Sequence, residues 1–350
     1  MAEPRAADGV GNYARKASSC REAWSLALES VAARDDRVVV LVNDSIGSAG
    51  LGRFVRRFPD RVVDVGIAEQ NLVSVAAGLA LAGRTVFVSS ASSFLARALE
   101  QIKIDVAYAQ ADVKLVGQSP GVGYGPLGPT HHAIEDITWM SALPGLPVIA
   151  PSNPAETAAA VAWAASRPGC AYLRIPRKLY GTPVGSPDSF TYGQATTVRA
   201  GRDVTLVSAG ATVGLALAAA EDLAVEGVDA RVVAMSTVRP LDSERLLDAA
   251  TTTAGIVTVE DGLVTGLGGA VAAFLSERCP SPVRRIGFRD AFAGVGDDHA
   301  LLEQAGIGVA GIAAAARSLL TLVPLPGRAL TRAARARARR SAHSRKAQDR

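Results

Sequence analysis

The stretch VVDVGIAEQN, residues 62–71, decides how this chain reads. A short valine-rich run has the look of a buried strand, Gly66 turns the chain, and a helix-period segment, NLVSVAAGLALAG, follows at once. Its apolar residues run almost all the way round, which predicts a helix buried on most faces and suited to a subunit interface. At the join sits Glu69, a carboxylate with no adjacent histidine and no metal-ligand cluster. The start of a helix favours an anion there, through free N–H groups and the dipole's positive end.

Working outward, short apolar runs alternate with helix-period segments, the pattern of parallel βαβ units. Strands are expected at 37–42, 61–65, 84–88, 113–116, 146–150 and 171–175, with helices near 21–33, 69–82, 93–110 and 154–167. Residues 181–194, GTPVGSPDSFTYGQ, read as a linker. A second alternation follows, with strands at 203–208, 229–234, 255–259 and 283–288. The organisation is a short extension (1–19), an α/β domain with a parallel sheet (20–180), the linker, a smaller α/β domain (195–324) and a tail (325–350).

Composition agrees with α/β layers: 49% hydrophobic and only 5% aromatic, in a chain of 350 residues that can bury two cores. The net charge of +4 is local in origin. Residues 325–350 hold nine Lys and Arg against one acid, so the body is mildly acidic and the tail is a basic appendage. No nucleic-acid-binding motif accompanies that tail, and nucleic acid is not the expected partner. Gly, Thr or charge breaks the apolar runs before a membrane span is reached. Cys20, Cys170 and Cys279 are an odd, scattered trio, fitting reduced thiols and a cytoplasmic location.

Two motifs mislead. GQSPG, 117–121, matches a nucleophile elbow, with Asp297, Asp298 and His299 downstream in hydrolase order. The residue after Ser119 is Pro120, however, which has no N–H to build an oxyanion hole. GYGPLG, 123–128, matches a dinucleotide fingerprint, but Pro126 sits inside it and no ribose-binding acid follows a strand. These glycines instead shape a loop that carries GPTHHAIED, 128–136, with His131 and His132 just before a helix expected from about Ala133. Phe94 stands just past a strand end, where ligands meet an open parallel sheet.

Together, DVGIAEQN, SSFLARALEQI, GPTHHAIED, VIAPSNPAET and LRIPRK, then STVRPLD and VTVEDGLVTGLGGAV, resemble the carboxyl-terminal half of the transketolase family over roughly residues 20–320. The family's other half binds the diphosphate of thiamine diphosphate through magnesium. It carries a Gly-Asp-Gly signature followed by Asn, which does not occur here. The resemblance therefore implies one subunit of a split transketolase, pairing with a separate diphosphate-binding subunit in an α2β2-like assembly. The implied reaction is transfer of a two-carbon ketol unit from a ketose to an acceptor. A 2-oxoacid dehydrogenase beta subunit and a deoxyxylulose-phosphate-synthase-like enzyme are the alternatives within the same cofactor chemistry. A non-catalytic scaffold is a further one outside it.

The resemblance also assigns roles. Glu69 matches the glutamate that hydrogen-bonds the cofactor's aminopyrimidine and promotes the tautomer that ionises the thiazolium carbon, the cofactor supplying the carbanion chemistry itself. Phe94 matches the aromatic that stacks on the pyrimidine, and Ile67 supports the bent cofactor. His131 matches the histidine that bonds the donor's hydroxyl. Arg97, Arg174 and Arg177 are candidates to hold an anionic group or line the entrance. Two positions depart from the family. Leu127 replaces an acid four residues before the histidine, where a sugar hydroxyl is read. Ser119 replaces a phosphate-contacting histidine twelve residues before it. Both point to a substrate pair other than the common pentose phosphates.

Overall fold

The computed structural model describes residues 17–182 and 190–322. Most of the amino-terminal extension, the centre of the linker and the basic tail lie outside the described residues. The first block runs α1 (Cys20–Ala32), β1 (Val38–Val42), α2 (Gly52–Arg57), β2 (Val62–Asp64), α3 (Glu69–Leu81), β3 (Thr85–Ala91) and β4 (Val113–Gln118). It continues through α4 (Asp136–Ser141), β5 (Val148–Ile149), α5 (Pro154–Ser166) and β6 (Ala171–Ile175). The second holds β7 (Thr196–Arg199), β8 (Val204–Ser208), α6 (Val213–Val225), β9 (Ala230–Ala234), β10 (Thr237–Arg239) and α7 (Ser243–Thr252). It closes with β11 (Ile256–Leu263), α8 (Leu267–Arg278), β12 (Val283–Phe288), α9 (Asp298–Gln304) and α10 (Val309–Leu322).

Two sheets result, in the orders β10-β5-β6-β4-β3-β1-β2 and β12-β11-β8-β9-β7. Every pairing is parallel except β5 with β10 and β7 with β9. β1, VVVLV, is buried along its whole length because a central parallel strand is covered on both faces. Trp24 and Leu28 of α1 and Val161 and Ala164 of α5 fill one side of it. Local chemistry sets the helix starts. Asn153 accepts from the Glu156 N–H at 2.9 Å with Pro154 in the first turn, and the Glu156 carboxylate accepts from the Ser152 N–H at 2.7 Å.

Five expectations need correction. The strand expected over 61–65 covers only Val62–Asp64 and is not buried, because it lies at the sheet edge with Val63 37% exposed. β10 belongs by sequence to the second block, yet it completes the first sheet, with Thr237 opposite Ile149. The 93–110 helix is a mixed path that ends in a π-helical stretch, Ile102–Tyr108, whose wide turns bring Ile102, Val106 and Ala107 into the core. The helix expected at Ala133 begins only at Asp136. Ala133 exchanges two hydrogen bonds with Gly121, at 3.0 and 2.8 Å, and the Ile134 carbonyl accepts from Leu263. Finally, α3 buries Glu69, Leu72, Val73, Ala76 and Ala77 in this chain, while Gln70, Asn71, Ser74, Gly78 and Leu81 stay exposed.

Asp298–Leu322 has the length and mean hydropathy, 1.6, of a membrane span. It is nonetheless two helices, separated around Gly306 at φ 73°, and Leu301, Leu302, Ile312, Leu319 and Leu320 pack into the second core.

Candidate active site

The carboxyl ends of β1, β3, β4 and β6, with the turn after β2, converge on one edge of the first sheet, where an α/β sheet presents ligand-binding groups. Glu69 opens α3 there and is 2% exposed. Gly66, at φ 71°, makes the turn that aims it, and the Gly66 N–H donates to Asp64 at 3.0 Å. One carboxylate oxygen, Oε1, accepts from the Asn43 amide at 2.9 Å. Asn43 directly follows β1, and its side-chain amide oxygen accepts from the Ser45 hydroxyl at 3.0 Å. The other oxygen, Oε2, lies 3.3 Å from the Arg97 guanidinium but accepts no hydrogen bond, although it is shut off from solvent. Leaving a buried oxygen without a hydrogen bond costs about 1–3 kcal/mol, which the nearby Arg97 charge offsets in part.

Phe94 lies in the turn after β3 and remains half exposed. Its ring meets His131 at 5.2 Å between centroids and 68° between planes. His131 sits on the glycine loop, with the Thr130 hydroxyl 2.9 Å from its Nδ1 and Tyr124 edge-on at 5.9 Å. His132 faces the other way, buried, with Nε2 3.3 Å from the Gly125 carbonyl, and burial lowers its pKa. Only the first of the paired histidines is presented to the site.

The glycines of this loop permit its docking on the second domain. A Cβ at Gly125 would run into the Gly296 carbonyl, and one at Gly121 into the Asp261 carboxylate. The Gly296 N–H donates to the Gly125 carbonyl at 3.2 Å. The loop is thus a junction between domains.

The three arginines separate. Arg97 is exposed beside Glu69. Arg177 is exposed, with its guanidinium 5.1 Å from the centre of the Tyr124 ring. Arg174 is 1% exposed and is engaged by two buried carboxylates. Its Nε donates to Asp136 at 2.8 Å and its Nη1 to Asp261 at 2.6 Å. Burial alone would lower its pKa, but these two carboxylates hold it above its ordinary value, while burial raises that of Asp136. The Tyr172 hydroxyl also donates to Asp136, at 2.7 Å. β6 is central, so even its polar side chains are enclosed.

Ser119 also leaves the candidate set. It is 3% exposed, at φ 53°, with its N–H donating to the Ile175 carbonyl. Leu127 is 53% exposed and Ile67 73%, so both offer apolar surface. Sequence reasoning missed Asn43 and Tyr124. A polar residue ending a wholly apolar strand, as in VVVLVN, was the available signal for Asn43. A ring among glycines gave none for Tyr124.

Known proteins bear on this constellation. Residues 16–183 match the family described as transketolase, pyrimidine binding domain, and residues 193–312 the transketolase C-terminal domain. The chain is 39% identical to a 6-deoxy-6-sulfo-D-fructose transketolase subunit from Clostridium sp. (strain MSTE9), covering 82% of this chain and 90% of that one. It is 38% identical to a subunit of the apulose-4-phosphate transketolase from Phocaeicola vulgatus, covering 84% and 95% respectively. A solved split gene transketolase, an inactive beta4 tetramer, superposes with a TM-score of 0.79 at 39% identity over 87% of this chain and 99% of that one. With a buried glutamate at the head of α3, a histidine beside an aromatic ring, and both domains matched in order, the chain belongs to the transketolase family as a transferase subunit of the split kind.

Proposed function

We propose that the chain supplies the pyrimidine-binding side of a thiamine diphosphate site and, with a separate diphosphate-binding subunit, transfers a two-carbon ketol unit between sugars. The observation that carries this is the Glu69 carboxylate: one oxygen fixed by Asn43, the other buried and without a hydrogen bond. That oxygen fits the ring nitrogen of an aminopyrimidine, and the half-exposed Phe94 fits its face. When bound, the cofactor would supply the carbanion chemistry. Glu69 would share a proton at Oε2, with Asn43 keeping the carboxylate from rotating and Arg97 beside it. Ile67 would support the cofactor from the rim. With the Thr130 hydroxyl donating into Nδ1, His131 would present an Nε2–H to a sugar hydroxyl.

Magnesium and the diphosphate fall to the partner subunit in this reading, within an α2β2 assembly. The exposed face of α3, continued by exposed Ile67 and Tyr108, supports an interface there. Three free cysteines fit a cytosolic setting. The substrate pair should differ from the common pentose phosphates. Leu127 gives the site an apolar wall at the position of a hydroxyl-reading acid, so a matching hydroxyl loses about 1–3 kcal/mol.

Glu69→Gln in the reconstituted complex is the direct test. Turnover should fall at least ~10²-fold with assembly intact, and hydrogen–deuterium exchange at the thiazolium carbon should slow in parallel. An unchanged exchange rate would make the carboxylate structural. For specificity, the highest kcat/KM with xylulose 5-phosphate plus ribose 5-phosphate would refute the Leu127 argument and leave the cofactor assignment standing.

A further inference from the structure

We infer that the second domain carries an anion site at the amino-terminal end of β9, built around Arg245, that takes a small hydroxylated phosphate such as a sugar phosphate. It lies apart from the candidate active site and does not depend on the ketol-transfer reading.

The site starts from a tight turn. In RAGRD, 199–203, the N–H groups of Arg202 and Asp203 both donate to the Asp229 carbonyl at 2.9 Å. Gly201 permits this approach, because a Cβ there would run into the backbone of Ala230 and Arg231. The turn, the start of β9 and the first two turns of α7 then enclose a recess of about 530 Å³, the size of a small-molecule site. β8, β9 and β11 run parallel, and Asp261, near the carboxyl end of β11, faces the loop that carries His131. The recess is therefore at the far end of the second sheet from the candidate active site.

Three arginines and two aspartates line it, a surplus of one positive charge. Two of the arginines are committed. Arg202 donates from Nε to Asp229 at 3.2 Å. Arg231 donates from Nη1 to Asp248 at 2.7 Å and from Nε to the Gly201 carbonyl at 3.2 Å. Arg245 is the third. Among the described residues no carboxylate pairs with it, and its Nε–H is shut off from solvent without an acceptor. A buried donor left unmatched is destabilising. A modest turn of the side chain that carries this N–H to an oxyanion in the recess removes that defect and pairs the surplus charge.

The remaining wall sets what the oxyanion is attached to. Its uncharged members are Thr197, Ala200 and Gly201, so an aromatic or aliphatic body finds nothing to pack on. Asp229 and Asp248 instead offer carboxylate oxygens to hydroxyl groups. Asp242 ties the recess to the linker. One of its oxygens accepts from the Arg245 N–H at 2.9 Å and the other from the N–H of Ala195, just past the linker, at 2.7 Å. Occupancy is thus readable at those two amides.

The test is calorimetric titration of the full chain, wild type and His131→Ala, with ribose 5-phosphate, ribose and inorganic phosphate. Ribose 5-phosphate should bind both chains more tightly than inorganic phosphate does, and ribose should not bind. Arg245→Met should weaken ribose 5-phosphate binding about tenfold or more, the loss of one charge-assisted hydrogen bond. Ala200→Glu, a change at an exposed position on the wall, should weaken it as much by repulsion, whatever the arginine variant does to folding. In His131→Ala, ribose 5-phosphate should also slow amide hydrogen exchange at Ala195 and Arg245. Absent binding, binding lost in His131→Ala, affinity retained in both recess variants, unchanged exchange at the two amides, or equal affinity for ribose would overturn the inference. Inorganic phosphate binding as tightly as the sugar phosphate would mean an adventitious ion only, and would overturn it too.

Discussion

Arg174→Met tests the difference between the two arginines of LRIPRK. Methionine fills much of the same space but removes the positive charge that lies between Asp136 and Asp261, both closed off from water. Removing one partner of a buried ion cluster leaves uncompensated charge and costs about 3–5 kcal/mol. In a domain of this size each kcal/mol lowers the thermal midpoint by about 2–4 °C, so a drop of roughly 6–20 °C is expected. Arg177→Met, by contrast, removes an exposed guanidinium with no carboxylate partner among the described residues and should leave the midpoint within a degree or two. The assay is thermal unfolding followed by far- and near-ultraviolet circular dichroism at matched concentration. Changing Asp136 and Asp261 to Asn in the Arg174→Met background should recover much of the loss, because the stranded charges go with it. A midpoint drop under about 3 °C for Arg174→Met, or an equal drop for Arg177→Met, would refute the assignment of Arg174 to the domain junction.

Glu260 gives a pH prediction. It is buried, its two oxygens accept from the Leu267 and Gly268 N–H groups at 2.9 and 2.8 Å, and burial pushes its pKa up to about 8. A carboxyl with a raised folded pKa contributes stability that is full below its unfolded pKa and is lost as pH rises through about 8. The stability lead of wild type over Glu260→Gln should therefore shrink from pH 5 to pH 9 in urea titrations, and a constant difference would contradict it. Gly121→Ala places a Cβ against the Asp261 carboxylate at a left-handed φ of 62°. It should cost about 1–3 kcal/mol and depress turnover further by shifting the His131 loop, with unfolding curves and kcat as the readouts.

Much of this architecture could be read from residue pattern because burial is periodic. VVVLV can only be a covered strand, and the glycine after VVDV can only be a turn. Glu69 and His131 were legible as chemistry out of place, a carboxylate at a helix start and a histidine on a glycine loop. Position along the chain could not reveal which arginine of LRIPRK is enclosed. Its partners Asp136 and Asp261 lie 38 and 87 residues away, and only folding brings them together. β10 escaped for a similar reason. Three residues before a proline carry no periodicity, and their partner strand is in the other block. Tyr124 meets the His131 ring and the Arg177 guanidinium only because folding brings them together.

That edge strand bears on how such chains can diverge. The hydrogen-bonded rim of the first sheet is donated by residues beyond the linker, and Arg239 reaches back from it to the Ser141 carbonyl. A recombination point placed in the linker would hand the amino-terminal half a foreign β10, or none. Without it, the two-residue β5 would become an open sheet margin, free to recruit strands from other molecules. Exchange of halves between relatives should therefore be tolerated only where the incoming segment restores the same rim. Drift in the first sheet and drift in the second are then bound into one lineage, the more so because one buried cluster joins Val86 and Leu115 of the first to Val207 and Ile256 of the second.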